Sequence, residues 1–282
     1  MFKIAVPNKG ALSEAAIQIL KDAGYRCKRY SRELVVRDAE HNVEFIFLRP
    51  RDIAVYVGSG IIDAGITGRD LAQDSGAAVE EHLGLGIGRS RFCYAVPAQS
   101  GLTPEQFGGK RIATSYPRIV EEDMKRRCID AEVVRLDGAV EISVELGVAD
   151  VIADVVESGR TLQEAGLAIT GDPIMNSEAV VIRRKGAGAE DKDFLALLDR
   201  INGILVARTY VLLEYVVSVA NQEAACKITP GVKSPTISPV SDPDWVAVAA
   251  MVETRGLNRV IDELSALGAH GIIAQTIRTC RL

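Results

Sequence analysis

The stretch DVVESGRTL, residues 154–162, follows the apolar run VIA and sets a carboxylate, Asp154, ahead of Glu157, Ser158, Gly159, Arg160 and Thr161. The pattern places these residues where a buried strand is predicted to end and the short helix TLQEAG to begin. Backbone N–H groups at a helix start carry partial positive charge, so small and hydroxylated residues there fit a phosphate cradle. For those residues alone an ordinary capped turn is the alternative. Asp154 adds a second demand: a carboxylate just before the loop repels a bare phosphate but suits the hydroxyls of a sugar attached to it. A ribose 5-phosphate meets both demands; an N-cap is the alternative role for Asp154. No GxxxxGK[ST] pattern occurs, which disfavours a Walker-type triphosphate loop.

Further polar residues fall at other expected strand ends. ITGRD brings Thr67, Gly68 and Asp70 to the position that faces Asp154; VPNKG brings Lys9; LRPRD brings Arg49 and Arg51. Three cations at strand ends point to a second, more highly charged anion, although each alone is equally a solvated surface charge.

The elements that must position these residues follow from hydrophobic periodicity. KIAVPN, then SEAAIQILKDAG with Ser13 as N-cap and Gly24 as stop, then VEFIFL, read as parallel α/β structure. The chain then repeats a grammar of strand, loop, helix, Gly-x-x-Asp turn and strand. One copy starts at Glu44 and the other at Glu132, with turn aspartates Asp63 and Asp150. Either the lobes are duplicated or such units simply resemble one another. On the first reading, residues 1–90 form one lobe and 91–179 a second, with SEAVVIRR (177–184) returning the chain to the first lobe, which residues 180–205 complete. Two crossings make a hinged cleft, and ligands bind beyond the carboxyl ends of the strands. RKGAGAEDKD, 184–193, reads as an exposed loop. From about 206 the order becomes βαββαβ, a separate ferredoxin-like domain over 206–282 with a binding or regulatory role. Its ITPGVKSPT segment is either a ligand loop or a plain crossover.

Composition excludes several classes. A net charge of −5 argues against a nucleic-acid partner. Apolar stretches are broken by charge well before about 18 residues and the start lacks a signal core, so the sequence predicts a cytoplasmic protein with no membrane partner. Five scattered cysteines without a CxxC pair predict free thiols, and His41, His82 and His270 have no metal-site spacing. A two-lobed solute-binding or sensing protein is the rival class, but it requires a signal peptide or a DNA-binding helix pair. A different phosphoribosyltransferase type requires an acidic pair in a hydrophobic strand. The sequence offers none of these.

EISVELGVADVIADVVESGRTL (141–162) matches over its whole length the signature of ATP phosphoribosyltransferases, the first enzymes of histidine biosynthesis. VPNKGALSE, FLRPRDIAVYVGSGIIDAGITGRDL, RLDGAVEISVELGVAD, ITPGVKSPTISP and DWVAVAAMV also resemble that family, so the likeness covers nearly the whole chain and its long form. The resemblance implies a two-lobed α/β catalytic core like that of periplasmic binding proteins, with a C-terminal ferredoxin-like regulatory domain that binds L-histidine as feedback inhibitor. It implies a reaction that joins ATP and 5-phosphoribosyl 1-pyrophosphate, with Mg²⁺, to give phosphoribosyl-ATP and pyrophosphate. It also implies homo-oligomers, from dimer to hexamer.

Carried over by position, Asp154 and Val155 meet the ribose hydroxyls, and Glu157, Ser158, Gly159, Arg160 and Thr161 the 5-phosphate. Lys9, Arg49 and Arg51 lie near pyrophosphate or ATP phosphates. Thr67, Gly68, Asp70 and Tyr116 line the nucleotide side. Glu141, expected one turn into a helix, accepts from the adenine amino group, and Asp154 meets the metal only indirectly. For histidine the matching positions are Val232, Ser234, Thr236, Glu214 and Gly271; Glu214 stands where the family pattern has Asp, and Gly271 where it often has Ala.

Overall fold

The computed structural model describes residues 1–29, 33–188 and 191–282. Two compact units divide the chain, Met1–Lys21 with Tyr25–Leu195, and Asp22–Gly24 with Ala196–Leu282.

The first unit opens with β1 (Phe2–Pro7), α1 (Ala11–Asp22), β2 (Val35–Asp38), β3 (Val43–Leu48), α2 (Pro50–Gly58), β4 (Ala64–Gly68), α3 (Arg69–Ser75) and β5 (Val79–Gly84). It continues with β6 (Ser90–Pro97), β7 (Arg111–Thr114), α4 (Pro117–Arg127), β8 (Glu132–Arg135), a 3₁₀ turn at Val140–Ser143, β9 (Val151–Val156), α5 (Arg160–Glu164) and β10 (Leu167–Ser177). β11 (Ala179–Arg184) then returns to the first sheet. The sheet orders are β2-β3-β1-β4-β11-β5 and β10-β6-β9-β7-β8. Each lobe therefore has a parallel trio, β3-β1-β4 and β8-β7-β9, flanked by antiparallel strands. The sheets are mixed rather than wholly parallel.

The internal repeat has a physical counterpart at its two turn aspartates. Asp63 accepts the N–H of Lys3 at 2.8 Å while its own N–H reaches the Lys3 carbonyl. Asp150 does the same to Arg111, at 3.0 Å. In both lobes this bracket fixes the start of the central strand against the strand that carries the site residues, Ile4 beside Ala64 and Ile112 beside Val151.

The two crossings join the lobes at 85–89 and at Glu178, and the Glu178 carboxylate ties them together. It accepts the Gly86 N–H at 2.7 Å and the Arg69 guanidinium at 3.1 Å, while Arg69 also grips Glu81. Apolar clusters fill each lobe, Ala5, Ile53, Val57 and Val180 in one and Phe92, Tyr94, Ile112 and Val151 in the other.

Several local expectations need correction. α1 starts at Ala11, so Ser13 is not its cap; the Ser13 hydroxyl donates to the Pro7 carbonyl at 2.5 Å. Gly24, at φ +94°, does follow the helix end as expected. The second copy of the repeat has only a 3₁₀ turn where the first has α2: the first helix starts at Pro50 from an extended Arg49, whereas the turn at Val140 is entered from Ala139 in the left-handed conformation at φ +50°. Residues 189 and 190 of the expected exposed loop lie outside the described residues. All five cysteines are free. His41 pairs with Asp38 and His82 with Glu80.

The second unit holds most of α6 (Lys192–Thr209), then β12 (Tyr210–Ser218), α7 (Gln222–Ile228), β13 (Thr236–Pro239), β14 (Trp245–Glu253), α8 (Leu257–Ala266) and β15 (His270–Thr276). From Ala196 onward α6 groups here rather than completing the first lobe, because the chain end packs on it: the Cys280 N–H donates to the Gly203 carbonyl at 2.9 Å. The antiparallel order β13-β14-β12-β15 is the ferredoxin-like split βαβ arrangement. Leu213, Tyr215 and Val217 of β12 are buried with Ala225 of α7 and Leu264 of α8, which sends Leu212, Glu214 and Val216 to the opposite, barer face.

Asp63→Ala and Asp150→Ala remove the same bracket from the two lobes. Each should lower the thermal midpoint by about 2–4 °C, the effect of losing about 1 kcal/mol of hydrogen bonding in a unit of this length. Unchanged melting in both variants would mean that the brackets contribute nothing.

Candidate active site

β1, β3 and β4 run parallel, so Lys9, Arg49 and Asp70 all follow the same edge of the first sheet. Lys9 and Arg49 are exposed, and their side chains have no hydrogen-bond or ion-pair partner among the described residues. Asn8, just before Lys9, has a buried Oδ1 that lacks a hydrogen-bond partner among the described residues. Arg49 occupies the N-cap position of α2 and Arg51 its first turn, with Pro50 between them suited to a helix start. Thr67 is fully buried and its hydroxyl donates to the Pro50 carbonyl at 2.8 Å. That hydroxyl therefore pins the start of α2 to the end of β4 instead of facing a ligand. Gly68 caps α3, and a Cβ there would meet Asp70 Oδ1, so glycine lets this carboxylate fold back.

Asp70 is 6% exposed and is held from the other lobe. Its Oδ1 accepts the Ser177 hydroxyl at 2.8 Å and its N–H donates to Ser177 Oγ at 3.1 Å. The carboxylate also faces the Tyr116 hydroxyl; burial, with the charge of Asp70, pushes that phenol well above its ordinary range. The Tyr116 ring packs edge-on against Phe92 at 5.2 Å and carries the Arg51 guanidinium 4.5 Å from its centroid.

In the second lobe, β9 extends to Val156, so Asp154 lies within the strand rather than at its end. Its Oδ1 accepts the Val155 N–H at 2.7 Å. Beyond the strand, Gly159 adopts the left-handed conformation at φ +79° and turns the chain into α5. A cavity of about 320 Å³ opens here, lined by Glu141, Asp154, Val155, Glu157, Ser158, Gly159 and Thr161 together with Val156 and Leu162. Arg160 does not line it. Its guanidinium turns outward to pair with Glu164 at 2.8 Å.

The electrostatics draw both lobes into one site. Burial, reinforced by the Glu141 and Asp70 charges, raises the Asp154 carboxyl above the ordinary carboxylate value, against the Val155 N–H and the Arg51 charge. Three carboxylates thus share a cleft with the Arg51 guanidinium, an arrangement suited to a reacting centre that turns positive. Among the described residues no three His, Cys, Asp or Glu side chains converge to hold a metal ion.

Residues 49–203 match the ATP phosphoribosyltransferase family and residues 207–279 match the HisG C-terminal domain. The chain belongs to the ATP phosphoribosyltransferase family. It is 54% identical over 283 residues to the ATP phosphoribosyltransferase of Salinibacter ruber, covering 100% of both chains. It is 55% identical over 281 residues to that of Rhodococcus opacus, covering 100% of this chain and 99% of the relative. A solved structure, the ATP phosphoribosyl transferase (HisG:HisZ) complex from Thermotoga maritima, superposes with a TM-score of 0.63 at 26% identity, covering 73% of this chain and 99% of that one. The two-lobed α/β core falls in the family's catalytic match and is followed by its C-terminal domain. The protein is a glycosyltransferase that transfers the phosphoribosyl group to ATP, the first step of histidine biosynthesis.

In the C-terminal unit a second cavity of about 320 Å³ lies on the bare sheet face, where Glu214, Thr236, Ser238, Gly271 and Ile273 line it. Glu214 accepts from Gln275 Nε2 at 3.2 Å. Val232 and Ser234 precede β13 and are not part of this lining. Gly271 sits at φ +59° beside an irregularity in the β12–β15 register; a Cβ would meet nothing within 4 Å, so alanine there is opposed by backbone conformation and not by space. Sequence reasoning missed Ser177 and Ser238, single serines in plain strand patterns.

The raised Asp154 value has a definite sign. In the folded state the charged form is disfavoured, so the carboxylate costs stability above its folded value and nothing below the ordinary Asp range. Asp154→Asn should therefore melt at a higher temperature than the parent at pH 7, with the gain fading as the pH falls to about 4. A lower midpoint at pH 7 would contradict this electrostatic picture.

Proposed function

We propose that the cavity at Glu157–Thr161 receives the 5-phosphate of 5-phosphoribosyl 1-pyrophosphate, that Asp154 meets its ribose hydroxyls, and that ATP lies against Arg51, Asp70 and Tyr116. One observation carries this reading: a single cavity joins the strand-to-helix loop to Asp154 and Glu141. The Val155 N–H is already engaged by Asp154, so Val155 contributes shape more than a donor. The Arg160 side chain is paired outward and its N–H donates to Ser158 Oγ at 3.4 Å, so Arg160 shapes the turn of the phosphate loop. Lys9 and Arg49, exposed and unpartnered at strand ends, are disposed for the pyrophosphate and ATP phosphates.

The reaction forms a bond between an adenine ring nitrogen and the anomeric carbon while the carbon–oxygen bond to pyrophosphate breaks. Positive charge grows on the sugar, where Asp154 and Glu141 are placed to stabilise it, and negative charge grows on the leaving group near the cations. The ring nitrogen attacks as a neutral nucleophile. Positioning therefore dominates and no strong general base is required. Glu141, which lines the cavity, accepts from the adenine amino group. Mg²⁺ brought by the pyrophosphate substrate would supply charge neutralisation at the leaving group, with Asp154 near it only indirectly.

The purified protein should release pyrophosphate only when ATP, phosphoribosyl pyrophosphate and Mg²⁺ are all present. Asp154→Asn should raise the KM for phosphoribosyl pyrophosphate by tenfold or more, on the order expected for losing a charge-assisted contact. A normal KM in that variant would remove Asp154 from the ribose site.

The C-terminal unit is proposed to bind L-histidine as feedback inhibitor. Glu214 would take the ammonium group and the Thr236 and Ser238 hydroxyls the carboxylate, with Gly271 leaving room; Val232 and Ser234 would join from the segment that leads into β13. Exposed Val232, Ile237 and Ile273 near this face, at 44%, 42% and 53%, support its burial in a homo-oligomer, from dimer to hexamer. No helix among the described residues is long and apolar enough to cross a membrane; the reading places the enzyme in the cytoplasm, without membrane or nucleic-acid partners. Glu214→Ala should abolish histidine inhibition while turnover without histidine persists. Retained inhibition would exclude this cavity as the regulatory site.

A further inference from the structure

α4 begins at Pro117 with Tyr116 in the N-cap position, and the Tyr116 side chain makes no capping bond. A capping side chain ordinarily accepts the N–H of the second or third helical residue. Here those two residues, Arg118 and Ile119, donate to Asp74 Oδ1 at 3.0 and 3.4 Å. Asp74 belongs to α3 of the other lobe. On its own helix it stands next to the last residue, where the negative end of the backbone dipole disfavours a carboxylate. Nothing within α3 accounts for it; the start of α4 does.

The same carboxylate reaches the nucleotide side of the cleft. Its Oδ2 lies 3.5 Å from Arg51 Nη1, and Arg51 lies over the Tyr116 ring. The Asp74 side chain is only 11% exposed. Immediately after α3, Gly76 takes the left-handed conformation at φ +62°, with the Arg118 side chain beside it. The end of α3 and the start of α4 thus lie against each other across the lobes.

We propose that Asp74 is a positioning residue for the transfer reaction: by capping α4 from the opposite lobe it fixes Tyr116 at the helix start, and with its second oxygen it holds Arg51 over that ring. A carboxylate of the first lobe thereby sets the spacing between nucleotide-facing groups of both lobes. This rests on the reading that ATP lies against Arg51 and Tyr116.

Steady-state kinetics of Asp74→Ala, Asp74→Asn and Arg51→Met test it. Asparagine keeps an acceptor for the two N–H groups and loses the charge beside Arg51; alanine loses both. Asp74→Ala should raise the KM for ATP about tenfold, as loss of a buried charged acceptor implies, with the KM for phosphoribosyl pyrophosphate changed less than about twofold. Asp74→Asn should restore the thermal midpoint and leave a rise in KM for ATP of about threefold, in keeping with a half-exposed ion pair. A fall in thermal midpoint with no selective change in the KM for ATP would reduce Asp74 to a purely structural cap and overturn the proposal. If Asp74→Ala does not fold, the KM for ATP of Asp74→Asn decides alone, an unchanged value overturning the proposal. If Arg51→Met raises the KM for ATP while the Asp74 variants do not, the site reading stands and the proposal falls. If none of the three raises it, the site reading falls and takes the proposal with it.

Discussion

Three carboxylates have to share one cleft, and much of the first unit can be understood as the means of holding them there. Asp70, Glu141 and Asp154 would repel one another in any loosely built site. Asp154 is fixed inside β9 and bonded to the following N–H, while Asp70 is folded back beside Gly68 and locked to Ser177. Arg51, at the start of α2, supplies a compensating charge that both Asp154 and the Asp70–Tyr116 pair feel. The negative balance that remains becomes useful once a sugar carbon turns cationic.

That arrangement depends on two lobes with the same internal plan. A parallel trio in each lobe brings the carboxyl ends of its strands to one edge, and the Asp63 and Asp150 brackets set the strand register that decides which side chains reach that edge. Glu178 and Arg69 then bind both crossings into one polar knot beside the Asp70–Ser177 pair. The cleft is therefore assembled from elements distant in sequence, and its charges are balanced across lobes rather than within them.

Much of this was legible in the chain itself. The Gly-x-x-Asp turns, the return strand at 177–184, the βαββαβ order and the ESGRT loop all follow from local periodicity and turn chemistry, which act over a few residues. Other features were hidden because their causes lie elsewhere in the fold. Asp74 looks like a helix-end surface acid until α4 is set against it, and Ser177 looks like a strand residue until Asp70 is seen behind it. Thr67 was read as a ligand residue from its neighbours in ITGRD, but its hydroxyl is consumed by Pro50. Arg160 shares the loop motif while Glu164, one turn later, draws its charge outward. At Val140–Ser143 the repeat pattern suggests a helix, but the segment is entered from a left-handed Ala139 and forms only a 3₁₀ turn.

The most direct test of the account is a crystal structure of the protein with phosphoribosyl pyrophosphate and Mg²⁺ bound. The account requires the 5-phosphate to sit in the turn formed by Glu157–Thr161, with ribose hydroxyls within hydrogen-bond reach of Asp154 and the Arg160 guanidinium still directed away. A 5-phosphate seated at Lys9 and Arg49 instead, with Asp154 free of the sugar, would contradict it.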